Sequence, residues 1–206
     1  MPIDPLFLVA TLALNITPGP DMVYVIARSL GEGRRAGIVS ALGISGGTVF
    51  HMLAVAFGLS QVMRQAPMLY DAVRYAGAAY LVYLGVKALT LRTPALDLPE
   101  TESASMWRVF TQGVVTNILN PKVALFFLAF LPQFVHPERD GVMWQLLLLG
   151  IVFNISGTLV NIGVALGVSF VRGWLMSSRS AQTLLRRVPG IVFVGLGARL
   201  AFDRGR

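Results

Sequence analysis

Runs of about twenty apolar residues, set apart by short basic or polar connections, fill most of this 206-residue chain. A helix of that length crosses a hydrocarbon core of about 30 Å. Transmembrane strands would be about 10 residues long and would alternate strictly. With 55% hydrophobic and 13% charged residues, the chain carries about half the charge of a soluble domain. Its mean hydropathy is +0.68. The reading is an all-α integral membrane protein with six transmembrane helices. The expected spans run roughly from Leu6 to Ala27, Gly37 to Met63, Pro67 to Leu91, Thr111 to Phe134, Met143 to Val171 and Leu184 to Phe202.

"LRTPALDLPETESASMW", residues 91 to 107, is the one long shift away from apolar composition. It divides the chain into a first three-helix repeat over 1–91, a polar linker over 92–110 and a second three-helix repeat over 111–206, within one membrane domain. The start, "MPIDPLFLVA", lacks the basic stretch and cleavage site of a signal peptide, so the first span is expected to be retained. The net charge of +7 comes from basic residues between apolar runs, which points to membrane orientation and away from nucleic acid. Connections after spans one, three and five hold ten Lys and Arg against six on the other side, which places both termini outside. Cysteine is absent, removing thiolate chemistry and Cys-based metal sites. No HExxH, GxSxG or GxxxxGK[ST] pattern occurs, so the sequence offers neither an enzyme's machinery nor an ATP-binding loop, and no cofactor is expected.

The halves share short stretches in a common order. "NITPGPD" in span one answers "NILNPK" in span four, "ISGGTV" in span two answers "ISGTLV" in span five, and "YLGVKAL" in span three answers "GLGARLA" in span six. An odd number of spans per half turns the second half upside down relative to the first. Inverted-topology repeats joined by interrupted helices 1 and 4 are a recurring plan for secondary transporters, in which one half rocks against the other around a central site.

Pro18, Gly19 and Pro20 interrupt the first helix, and Pro121 interrupts the fourth. Each break frees backbone groups that need partners inside the protein or a wet cavity. Asn15 and Thr17 stand beside the first break, Asn117 and Asn120 beside the second. Asp21 and Lys122 occupy matching places and are the formal charges well inside the spans. A charge at membrane depth costs at least about 2.5–3.5 kcal/mol, so both are expected to face the bundle interior, where they suggest a pair. His51, mid-span, is either a proton carrier or a hydrogen-bonded interior residue. Asn154 and Asn161 are expected to find interior partners. Gly43, Gly46 and Gly47 form a small face suited first to helix packing within the subunit and second to a homodimer.

With "NITPGPD", the distant "NPK", "GRRAG" after span one and "AGAAYLVYLGVKAL" in span three, the whole chain resembles the LysE/RhtB family of bacterial amino-acid exporters. The resemblance implies a multi-pass protein of the bacterial inner membrane that expels amino acids or close metabolites in exchange for protons. Thr17, Pro18, Gly19, Pro20 and Asp21 map onto the family's first-helix motif, and Asn120, Pro121 and Lys122 onto the one in span four. A zwitterion needs an anchor at each end. Lys122 and the half-helix N-termini suit its carboxylate, and Asp21 with unwound carbonyls suits its amine. One buried acid and one buried base favour a neutral amino acid of the homoserine, threonine or leucine type. The alternative is a passive channel or an exporter of another small solute or cation.

Overall fold

The computed structural model of the chain describes residues 3–59, 105–136 and 141–177. It adds isolated helical positions at 72, 75, 78, 79, 82, 83, 86, 89 and 90 and at 191, 194, 195 and 198. The expected third and sixth spans, most of the linker and the match of "YLGVKAL" to "GLGARLA" therefore lie largely outside the described residues. Every described element is helical.

The first span is two half-helices. Helix α1, Pro5–Ile16, opens with Asp4 Oδ1 accepting from Leu6 N–H at 2.8 Å and with proline at its first position, where the missing N–H is no loss. It stops where Pro18 biases Thr17 into extended backbone. Helix α2, Pro20–Glu32, then restarts at an angle of 47° to α1. Gly33, at φ 89°, makes the turn into helix α3, Arg34–Ala54, a conformation that glycine adopts without strain. Helix α3 runs on into a π-helical turn over Val55–Leu59.

The fourth span repeats the plan. Helix α4, Met106–Ile118, begins earlier than Thr111 because the Ser105 hydroxyl accepts from Arg108 N–H at 3.3 Å and caps it. After the break comes helix α5, Pro121–Leu125, with Asn120 Oδ1 capping Lys122 N–H at 3.0 Å. It continues as a π-turn over Phe126–Phe130 and a 3-10 turn over Leu131–Phe134, and the bend across the break is 49°. Helix α6, Val142–Ser177, is the long unbroken fifth span. By length and composition, α3 and α6 each suffice to cross a membrane, and the two bent pairs bring the described spans to four.

Helix α6 shows which way the bundle faces. Ile151, Ile155, Leu159 and Leu166 form an exposed apolar stripe at helical spacing. Asn154, Gly157, Thr158 and Asn161 lie on another face and line an internal cavity. Apolar outside and polar inside is the pattern of a helix between lipid and a polar interior.

Two apolar clusters adjoin that cavity, the larger contributing Leu14, Val123 and Phe153 to its lining and the smaller Ile44. Phe7, Phe126, Phe127, Phe130, Phe134 and Phe153 pack ring on ring, with centroids 4.8 Å apart for Phe126 and Phe153 and 5.3 Å for Phe7 and Phe134. Val25, Ala41, Ile44 and Ala165 form the smaller cluster. Beside it, α2 is tied to α4: Tyr24 Oη donates to the Val109 carbonyl at 2.8 Å, and Arg28 donates to Gln112 Oε1 and pairs with Glu32.

The glycine face of α3 packs within the chain. A Cβ on Gly43 would strike the Phe110 carbonyl of α4, and one on Gly47 would sit 2.7 Å from Asn117 Cβ. Helix α4 answers with Gly113, whose Cβ would lie 2.9 Å from the Ser40 carbonyl. We predict that Gly43→Ala lowers the melting temperature of the purified protein by several degrees. Gly46→Ala, facing side chains alone, Val114 at 3.2 Å and Phe110 at 3.5 Å, should do much less. Equal shifts in a thermal-unfolding assay would contradict this account of the α3–α4 contact.

Candidate functional site

The two breaks meet at one polar centre. Asn117, the last buried polar residue of α4 before its break, is 1% exposed and holds the centre together. Its Nδ2 donates to Asp21 Oδ2 at 2.8 Å, joining the second break to the first. The Thr48 hydroxyl shares its one proton between the Ile44 carbonyl at 3.1 Å and Asn117 Oδ1 at 3.3 Å. The Asn117 backbone carbonyl, which also accepts the Asn120 N–H at 2.9 Å at the end of α4, takes His51 Nε2 at 3.1 Å. A carbonyl only accepts, so this contact assigns the proton to Nε2. His51 is a buried, hydrogen-bonded interior residue, with its ring stacked on Phe127 at 6.0 Å.

Asp21 and Lys122 are neighbours of one cavity but do not form the direct ion pair that the sequence suggests. Lys122 Nζ donates instead to the carbonyls of Thr17 at 2.9 Å and Leu14 at 3.1 Å. Both lie at the C-terminal end of α1, the negative end of that half-helix, where the Leu14 carbonyl has only the shared Thr17 N–H at 3.2 Å, and one ammonium serves both. Gly19 makes room for it, because a Cβ there would lie 3.1 Å from Nζ. Two of the three ammonium protons are thereby used. Asp21 sits in the first turn of α2, favoured by the positive helix end, and Gly19 provides no side-chain cap there. Asp21 Oδ1 is buried and has no hydrogen-bond partner. So is Asn120 Nδ2, while Asn120 Oδ1 serves the cap of α5.

Asn15 is placed by the opposite wall. Its Nδ2 donates to Ser156 Oγ at 3.0 Å and reaches the Phe153 carbonyl at 3.5 Å. Gly157 lets it approach: a Cβ there would sit 3.0 Å from Asn15 Oδ1. Thr17 caps its own half-helix, donating to the Ala13 carbonyl at 2.6 Å. Pro18, Pro20 and Pro121 shape the breaks and contribute no polar group to the cavity.

The cavity is lined by Asn15, Thr17, Asp21, Asn117 and Lys122 from the breaks, by Ile44, Ser45 and Thr48 from α3, and by Asn154, Gly157, Thr158 and Asn161 from α6. The space open to the centres of water-sized spheres is about 30 Å³, room for about two waters. Of the residues expected to contribute from the sequence, Asn15, Thr17, Asp21, Asn117 and Lys122 line it, whereas His51 and Asn120 stand one contact behind. Ser45, Thr48, Ser156 and Thr158 were hidden inside "ISGGTV" and "ISGTLV", whose repetition was itself the signal that both stretches serve the same centre. Asn154 has the interior partner expected of it, Thr158 Oγ1 at 3.4 Å, but Asn161 has none among the described residues. Among the described residues no cluster of metal-ligating side chains occurs.

Comparison with known proteins agrees with this architecture. The LysE type translocator family matches residues 12–204. The "Leucine efflux protein" of Salmonella typhimurium is 27% identical over 196 residues, covering 95% of this chain and 92% of that one. The "Homoserine/homoserine lactone efflux protein" of the same organism is 27% identical over 199 residues, covering 96% and 95%. The membrane protein YrhP of Bacillus subtilis is 30% identical over 193 residues, covering 89% and 91%. No solved structure matches the chain. A match over nearly the whole length, in a chain whose described residues form a bundle of apolar helices, means that the chain belongs to the LysE type translocator family, a family of membrane transporters.

Proposed function

We propose that this protein exports neutral amino acids from the bacterial cytoplasm across the inner membrane, by alternating access coupled to inward movement of protons. The observation that carries the reading is a buried carboxylate with one unsatisfied oxygen, Asp21 Oδ1, sharing a small polar cavity with the ammonium of Lys122 at two helix breaks. Asp21 takes the substrate's ammonium. The third proton of Lys122 and the uncapped start of α2 take its carboxylate. The relatives named for leucine and for homoserine efflux make an amino-acid cargo the natural choice.

Alternating access is supported by the cavity's size. Room for about two waters among the described residues is too little for an amino acid, so loading would require the walls to part. The two halves would move as inverted repeats. In support, Asn15 beside one break seats against Gly157 and Ser156, while Asn117 beside the other seats against Gly47 and Thr48. Backbone carbonyls beside the first break accept from Lys122, and one beside the second accepts from His51.

Exchange follows from the cost of a bare charge. An empty, ionised Asp21 is expensive to carry through the closed intermediate, whereas Asp21 holding a proton or a substrate ammonium is not. One carboxylate serving both cargoes in turn yields antiport. The test is efflux from cells loaded with dipeptides, with every released amino acid measured beside cells lacking the protein. One or a few neutral amino acids should leave faster when the protein is present. Identical release profiles would remove the amino-acid reading.

A further inference from the structure

We propose that Asn161 is the specificity-determining residue of the cavity, its amide reading a hydrogen-bonding group on the substrate's side chain. This rests on the exporter reading above and goes beyond it, because nothing in the charged anchors distinguishes one neutral amino acid from another.

The geometry is as follows. Asn161 is 8% exposed, lines the cavity, and its side chain makes no hydrogen bond to any described residue. A residue so largely buried normally finds protein partners for its amide, but the Asn161 amide is not among the fully enclosed unpartnered atoms and keeps its contact with the cavity space. Its neighbours do have partners: Asn154 is met by Thr158, Asn15 by Ser156, and Asn117 by Asp21 and Thr48. Asn161 alone of these four cavity amides is left with both its donors and its acceptor to spend on something that enters.

Its place along the cavity says which part of the substrate it meets. On α6, Phe153 faces the aromatic cluster, and Asn161 lies two turns on, beside Ile162 of the smaller apolar cluster. Seven residues of helix separate Asn154 from Asn161, or about 10 Å along the axis. Asp21 and Lys122 hold the zwitterion at the breaks, which leaves the α6 wall to the side chain. An amide there rewards a hydroxyl or amide side chain. An aliphatic side chain would bury Asn161 with nothing to bond, which is how a polar pocket rejects an apolar analogue.

The experiment compares matched substrates differing in one hydroxyl, homoserine against 2-aminobutyrate and threonine against valine, in cells expressing the wild type or Asn161→Leu. The wild type should export the hydroxylated member of each pair about tenfold or more faster at equal loading. Asn161→Leu, similar in volume, should collapse or invert that ratio while keeping export of the aliphatic member. A wild type that treats the pairs alike, or a variant that keeps the wild-type ratio, would overturn the proposal with the exporter reading intact. If Asn161→Leu fails to accumulate in the membrane, the wild-type pairs and Asn161→Ser, which keeps a polar group, decide the matter. Absence of export of all four by a wild type that still exports another amino acid in the dipeptide screen would overturn the proposal, whereas no export of any amino acid in that screen would refute the exporter reading itself.

Discussion

Asp21→Asn is expected to abolish amino-acid export, by about 100-fold or more, while the protein still reaches the membrane in normal amount. The substitution is nearly isosteric. Asn117 Nδ2, which donates to Asp21 Oδ2 at 2.8 Å, would find the amide oxygen of the new side chain in the same place. What is lost is the negative charge, and with it the partner for a substrate ammonium and the acceptor for a returning proton. Removing one partner of a buried charged contact costs about 3–5 kcal/mol, which corresponds to two or more decades in binding. The measurement is efflux from dipeptide-loaded cells, normalised to protein in the membrane fraction. Wild-type efflux by this variant would take Asp21 out of the mechanism.

Lys122→Met is expected to damage both stability and export. Its ammonium covers the Leu14 and Thr17 carbonyls. Without it the Thr17 carbonyl is left bare inside the bundle, at a cost of about 1–3 kcal/mol, the Leu14 carbonyl keeps only the Thr17 N–H at 3.2 Å, and the Asp21 charge loses its nearby counter-charge. The double variant separates the roles. Combining Asp21→Asn with Lys122→Met removes both charges and should recover part of the lost melting temperature without recovering transport. Recovery of both would mean that the two residues only pin the halves together.

The parts of this site that were legible in the sequence were those that violate the rules of a membrane helix. Prolines in "NITPGPD" and "NPK" announce broken helices, and charges at membrane depth announce an interior. The breaks fall at the expected places, with α2 beginning at Pro20 and α5 at Pro121. The Asp21–Lys122 ion pair was the natural guess from charge alone. It did not anticipate that the carbonyls freed by Pro18 and Pro20 would claim the ammonium first, because backbone acceptors leave no mark in side-chain composition. For the same reason Asn117 looked like a helper and proved to be the hub of the network. The π-turns at Val55–Leu59 and Phe126–Phe130 were illegible, since one extra residue in an apolar run changes neither length nor hydropathy noticeably. Asn161 resembled any interior amide until its surroundings showed that it has no partner among the described residues.

Transport against a gradient tests the central claim most directly. Purified protein would be placed in vesicles with an acidic lumen, with a labelled neutral amino acid supplied outside. Protons leaving through the exporter would drive the amino acid inward, so the account predicts accumulation above the external concentration, abolished by a protonophore and absent with Asp21→Asn. Entry that stops at equal concentrations on both sides, indifferent to the pH gradient, would contradict it and identify a passive facilitator.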